Sequence, residues 1–382
     1  GSMQGGDVLI AFDGSDEETF EMRIKSAEVI PLRLPFTDGG AGTGLMPTKW
    51  THLDVVLLRL ETDDGLVGWG DGFAYVCRTA IVAALEDMVL PLVVGQSIDD
   101  VADFNRELQQ KLHLHGRYGI TTFAISAVDI ALWDIAGKRD GKPLADLLGG
   151  RRQSELPAYA SLVRYGDPEL VRAFAEKAVG DGFETVKLHE ITREAIEAGR
   201  AGVGEGIRLT TDVNCNWSTA EAEDLMPTMK ELDLYWVEEP IFPPDDAEAL
   251  GKLQRDHGVA IASGENACTA VEFARTVPEI AFVQPSITKV GGVTEFLAVC
   301  ELAETHGKAV MPHAPYFGPG YWATVQAMAA RPVAEFLECL YIDPEAWLDP
   351  AIPLPNGGKV SVLDRPGLGF EPDPRLLARY AA

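Results

Sequence analysis

From Leu156 onward the chain repeats one unit eight times, a short apolar strand followed by a stretch of helical period. The strands read LPAYASLV, FETVKLH, IRLTTDV, LYWVEEP, VAIASGE, IAFVQPS, AVMPHAP and AEFLECLY. Their ends fall roughly 21 to 27 residues apart, enough for one strand, one helix and two loops. Strands joined by helices pair in parallel, because a parallel crossover needs the length of a helix. Eight such units close into a barrel. Right-handed crossovers place the helices outside and gather every C-terminal strand end on one rim.

The residues before this repeat follow another rhythm. Residues 23 to 34 and 53 to 60 are rich in branched apolar side chains, and Asp64-Gly65 turns the chain into LVGWGDG, so an antiparallel meander is predicted. Between its first two strands, residues 37 to 50 (TDGGAGTGLMPTKW) read as a long loop of the kind that forms lids. From Thr79 to Lys138 the period is helical, with Ala124, Val128, Ala131, Leu132 and Ile135 on one predicted buried stripe. Gly149-Gly150-Arg151-Arg152 ends that pattern, which puts a boundary near residue 153. The expected organisation is a tail over residues 1–20, an α+β domain over 21–152, the barrel over 153–345 and a returning segment over 346–382. Gly1, Ser2 and Met3 read as a tag remnant, and the acidic stretch after them lacks the pattern of a signal peptide.

Composition narrows the class of function. Lys and Arg number 32 against 59 Asp and Glu, and the formal net charge of −27 disfavours a nucleic-acid partner. No uninterrupted apolar run reaches the roughly 18 residues of a membrane span, since Thr121, Asp129 and Asp134 break the strongest candidate. No membrane partner is expected. The five cysteines are scattered and contain no C-x-x-C, which fits a reducing cytoplasm.

Polar residues stand at the predicted C-terminal strand ends: Lys187 and His189, Asp212, Glu238, Glu265, Ser286, His313 and Glu338. Asp212 and Glu238 are 26 residues apart, and Glu238 and Glu265 are 27 apart, so consecutive strands would deliver three carboxylates to one side of the rim. Like charges that close repel unless a cation lies between them. An all-oxygen donor set favours Mg²⁺, with Mn²⁺ as the alternative.

The motifs TDDGLVGWGD, AISAVDIALWDIAGK, KPLADLLGG, VKLH, TDVNCNW, VEEP, SGEN, TKVGG, MPHAP and GLGFEPD occur in the order shown by the enolase superfamily. Over residues 23 to 375 the chain resembles that superfamily's mandelate racemase-like subgroup. The resemblance implies an α/β fold, a modified TIM barrel (β/α)7β with an α+β capping domain. It also implies that Asp212, Glu238 and Glu265 are Mg²⁺ ligands and that the reaction removes the proton α to a small carboxylate, through an enediolate.

Roles for further residues follow from the same resemblance. Lys187 and His189, two apart on a strand, share a face, with Lys187 holding the substrate carboxylate and His189, where the family more often has a second lysine, as the base. His313 matches the histidine on the opposite face of the α-carbon, and Ser286 stands where the family usually places an aspartate beside it. Glu338 matches a glutamate that donates a hydrogen bond when protonated, which needs a raised pKa. Asn214 is expected near substrate, with Glu239 and Asn266 behind the ligands. Specificity is expected from the 37–50 loop and from residues 73–78, with Lys49, His52 and Tyr75 as candidate contacts. Sugar-acid dehydration is the first expectation, racemisation, epimerisation or cycloisomerisation the second, and an inactive barrel that only binds the third. Members of the family are often octamers or dimers, and a homo-oligomer is expected here.

Overall fold

The computed structural model describes residues 22–40 and 49–382. The tail, and residues 41–48 of the glycine-rich loop, lie outside the described residues. Strands β1 (Met22–Thr37), β2 (His52–Thr62) and β3 (Val67–Gly72) form the antiparallel meander. The run VVLL in β2 shows no alternation because both faces of the sheet are covered. Leu53 and Leu57 join the cluster that includes the barrel, whereas Val56, Leu58 and Leu60 pack with the helices of the first domain.

Helix α1 (Arg78–Ala83), strand β4 (Ser97–Ile98), and helices α2 (Val101–Leu112), α3 (Ile120–Asp140) and α4 (Leu144–Leu147) follow. Helix α3 departs from the one-stripe expectation, being buried nearly all round. It lies between the meander and a barrel helix, and the two acids that interrupt its apolar run fasten it to both. Asp129 accepts from Asn105 Nδ2 at 2.8 Å and from Thr294 N at 3.1 Å, a residue of the barrel. Asp134 accepts from Trp69 N at 2.9 Å and Leu368 N at 2.8 Å. Among the described residues α3 alone is long and apolar enough to cross a membrane, and 83% of its most apolar window is buried inside the protein.

Helix α3 approaches the sheet closely through three glycines. A Cβ on Gly68, Gly70 or Gly72 would stand 2.2, 1.9 or 2.5 Å from the carbonyl oxygens of Ala131, Ala127 and Phe123 respectively. Four helical residues rise about 6 Å and two strand residues about 6.7 Å, so each glycine on that face meets one turn of the helix.

The barrel runs β5 (Glu155–Ser161), α5 (Pro168–Gly180), β6 (Thr185–Leu188), α6 (Arg193–Val203), β7 (Arg208–Asp212), α7 (Thr219–Glu231), β8 (Leu234–Glu238) and α8 (Ala247–His257). It continues with β9 (Ile261–Ser263), α9 (Thr269–Thr276), β10 (Phe282–Val283), α10 (Gly292–Thr305), β11 (Ala309–Val310), α11 (Pro319–Ala330) and β12 (Leu337–Leu340). Neighbouring strands pair in parallel in the order β11-β10-β9-β8-β7-β6-β5-β12. A parallel bridge between Val310 and Ala334 closes the ring. Seven βα units and a last strand therefore make the (β/α)7β barrel, and all eight predicted strands are present.

The C-terminal segment takes a more varied path than a simple return to the first domain. Strand β13 (Asp343–Pro344) pairs with β1, but β14 (Lys359–Ser361) pairs antiparallel with barrel strand β5. The chain then reaches α3 through Leu368 and returns to β1 through α12 (Pro374–Tyr380) and the Leu32–Ala381 bridge. Replacement of Gly70 by Ala should lower the unfolding free energy by about 3 kcal/mol, because the methyl group meets helix backbone rather than a movable side chain. Chemical denaturation checks this, and an unchanged midpoint would contradict the close approach.

Candidate active site

Parallel register builds the acidic centre. Asp212 and Glu238 close β7 and β8 and are direct register partners, and Glu265 follows β9 by two residues. One oxygen of each lies within 4.8 Å of one oxygen of the others, and all three residues are buried. Among the described residues, Asp212 Oδ2 and Glu265 Oε2 are buried with no hydrogen-bond donor. Burial, reinforced by Asp212 and Glu338, pushes Glu238 up to about 8 against the pull of Lys187. Burial and the charges of Asp212 and Glu239 push Glu265 well above the carboxylate range. Asp212 goes the other way: burial would raise it, but Lys187 and His189 hold it below its usual value. Two orphaned oxygens in an all-carboxylate cluster fit a hard divalent cation such as Mg²⁺.

Lys187 sits among these acids, fully buried. Its Nζ lies 2.5 Å from Glu238 Oε1, 3.1 Å from Glu338 Oε1 and 3.3 Å from Asp212 Oδ2. His189 is also buried, with Nδ1 2.5 Å from the carbonyl oxygen of Leu162 and Nε2 3.4 Å from Asp212 Oδ2. A carbonyl only accepts, so Nδ1 carries a proton, and Nε2 is the nitrogen through which the ring gives or takes one.

His313 reaches the same state through a different neighbour. The hydroxyl of Tyr316 donates to the His313 carbonyl at 2.8 Å, which uses its one proton. Ser286 must then donate to the Tyr316 oxygen at 2.9 Å, and accept from His313 Nδ1 at 3.0 Å. His313 Nε2 is therefore bare, 3.3 Å from Glu265 Oε2. The two Nε2 atoms stand beside two different members of the triad, Asp212 and Glu265. Burial pushes His313 from its ordinary 6.5 down to about 3, and no carboxylate sits at Nδ1 to support an imidazolium. In this state His313 Nε2 can take a proton and has none to give.

Glu338 departs from the raised pKa expected of it. Burial alone would raise it, but Lys187, Ser161 Oγ and the Ala314 N–H together lower it below the ordinary value. Its Oε1 accepts from Ser161 at 2.7 Å and its Oε2 from Ala314 N at 2.9 Å. Both of its oxygens accept hydrogen bonds in this arrangement.

The remaining candidates are spread around this centre. Asn214 donates its backbone N–H to Asp212 Oδ1 at 2.8 Å, and its Oδ1 accepts from Arg164 Nη2 at 3.0 Å. Glu239 accepts from Ser263 Oγ at 3.0 Å and Gly264 N at 2.9 Å, tying β8 to β9. Asn266 accepts from Lys289 Nζ at 3.1 Å. Tyr75 donates to the Pro315 carbonyl at 2.5 Å, next to the His313 loop. Lys49 and His52 stand apart from the acidic centre, lining a cleft of about 320 Å³ with Arg33, Asp54 and Arg78.

Sequence reasoning missed Arg164, Tyr316, Gln284 and Trp236. Gln284 and Trp236 carried a usable signal, since each is two residues before a rim residue and shares its strand face. Arg164 and Tyr316 sit in loops, where no periodicity points inward.

A family model described as the mandelate racemase / muconate lactonizing enzyme N-terminal domain matches residues 46–149, and one described as enolase C-terminal domain-like matches residues 170–376. A 3,6-anhydro-alpha-L-galactonate cycloisomerase of Streptomyces coelicolor is 30% identical over 92% of this chain and 96% of its own length. An arabinonate dehydratase of Saccharolobus solfataricus is 30% identical over 83% of this chain and 88% of its own. The crystal structure of a racemase from Streptomyces coelicolor with bound magnesium superimposes with a TM-score of 0.82 at 26% identity, covering 94% of this chain and 100% of that one.

The His313 arrangement is open to a direct check. By NMR the ring should stay neutral from pH 8 down to about 5, and Ser286→Asp should move its protonation upward by about one pH unit or more. Because the folded value is depressed, the unfolded chain takes up that proton first, so this group contributes stability above about pH 6.5 that is lost as pH falls towards 3. A wild-type ring that titrates near 6.5 would contradict the assignment.

Proposed function

This chain belongs to the mandelate racemase/muconate lactonizing enzyme family of the enolase superfamily, and on that premise we propose that it dehydrates a sugar acid by removing the proton α to the carboxylate. The observation that carries the reading is the pair of histidine Nε2 atoms flanking the triad, each on a ring whose Nδ1 is held by an acceptor. Asp212, Glu238 and Glu265 would hold Mg²⁺, or Mn²⁺ in its place, and the bound ion would supply Lewis-acid stabilisation of charge on the substrate carboxylate.

His189 Nε2 takes the α-proton, and Leu162 O holds the Nδ1–H that forces the base-competent tautomer. Lys187 supplies positive charge beside the enediolate. The resulting imidazolium returns its proton to the departing β-hydroxyl, so that the α C–H and β C–O bonds break, water leaves, and the enol becomes a 2-keto-3-deoxy acid. Arg164 helps hold this arrangement, since its Nε donates to the His189 carbonyl at 2.5 Å while Nη2 holds Asn214.

Two-base racemisation needs one histidine protonated while the other is bare. Ser286 in place of an acid at His313 leaves that state unsupported, which favours elimination through one histidine. Cycloisomerisation is the second reading, favoured by the relative that spans 92% of this chain. It would begin with the same abstraction and differ in the bond that then breaks. The proposed setting is a cytoplasmic homo-oligomer without nucleic-acid or membrane partners. Its proposed division is a capping domain over 21–152, a barrel over 153–345 and a returning segment over 346–382.

Incubation with Mg²⁺ in D₂O against a panel of five- and six-carbon sugar acids tests the reading by NMR. A 2-keto-3-deoxy product carrying deuterium is expected with one or a few of them. His189→Asn should lower the rate about 10²- to 10⁴-fold. Chelation should abolish turnover. Exchange at the α-carbon without loss of water would establish the racemase instead, and no exchange with any acid would leave a binding protein.

A further inference from the structure

The two oxygens of Glu238 are used unequally. Oε2 accepts from Trp236 Nε1 at 3.0 Å and from Gln284 Nε2 at 2.8 Å, both inside the barrel beneath the rim. Among the described residues Oε1 is held by Lys187 Nζ alone, at 2.5 Å. With two N–H donors on Oε2, its accepting capacity is spent, so a cation reaches Glu238 through Oε1. The same ammonium faces Asp212 Oδ2 at 3.3 Å, and so stands on two of the three triad members. Its third neighbour is Glu338 Oε1 at 3.1 Å, which lies outside the triad and is anchored by Ser161 and the Ala314 N–H.

We infer that Lys187 and the divalent cation are alternative occupants of Glu238 Oε1, so that cation entry turns the ammonium away from the triad and onto Glu338. The inference rests on Asp212, Glu238 and Glu265 being the cation site. An ammonium and a divalent ion on one oxygen repel at contact distance, in a setting where little water screens them. Glu338 offers the displaced ammonium a carboxylate that the cation does not claim. Trp236 and Gln284 act as positioning residues, since by committing Oε2 they force the exchange onto one atom. Cation loading and the placing of Lys187 near the substrate then become one event.

Calorimetric titration of the full chain with Mg²⁺ tests this without reference to turnover. Lys187→Met should bind Mg²⁺ at least tenfold more tightly than wild type. Lys289→Met is the control, because that buried ammonium contacts Asn266 and no triad oxygen, and it should gain less than threefold. A gain of equal size in both variants would reduce the effect to general charge removal and overturn the inference, as would unchanged or weaker binding by Lys187→Met. Should Lys187→Met not fold, crystal structures of wild type with and without Mg²⁺ decide: the Lys187 Nζ to Glu238 Oε1 distance should open beyond 3.5 Å when the ion is bound, and a retained contact overturns the proposal. If wild type and Lys187→Met both fold and neither takes up Mg²⁺, the triad itself is not a cation site and the wider reading falls too.

Discussion

Adjacent parallel strands put like charge beside like charge. Asp212 and Glu238 are register partners, so the backbone ladder of the barrel holds two carboxylates together that would otherwise separate, and Glu265 joins them one strand further on. The fold supplies the energy that opposes this repulsion, through a closed ring of strands and a continuous apolar core around it. Every other polar group in the centre answers that crowding. Lys187 lends a positive charge, Trp236 and Gln284 quiet one oxygen, and both histidines turn Nε2 towards the acid oxygens that lack donors among the described residues.

Much of this was legible in the chain itself, because barrel strands announce their number by spacing and their functional ends by the polar residues that interrupt them. The acidic triad was readable for that reason. What the spacing did not convey was the traffic of individual protons. Glu338 lies at a strand position that suggests a buried acid, but its state depends on Ser161, Ala314 and Lys187, which come from three other elements. The tautomer of His313 depends on Tyr316, whose hydroxyl bonds back to the carbonyl of His313 itself and to Ser286. No local pattern encodes such closed circuits.

Helix α3 illustrates a different limit. Its apolar positions form a stripe, as periodicity indicates, yet the helix is enclosed on nearly all sides because the barrel covers the face opposite the meander. Asp129 and Asp134, read from sequence as interruptions of an apolar run, are the polar fasteners that this enclosure requires. The glycines of β3 were visible as residues but not as a contact surface, since their meaning lies in the helix that approaches them.

The segment from Phe73 to Arg78 meets the barrel through main-chain atoms on one side or both: the Phe73 N–H reaches the carbonyl of Thr288, and the Tyr75 hydroxyl reaches the carbonyl of Pro315. Carbonyls are the same whatever side chain they carry. A loop seated in this way can exchange its outward residues, such as the exposed Val76, and keep its footing. Evolution can thus redraw the outline presented to an incoming molecule while the chemistry below it is inherited intact.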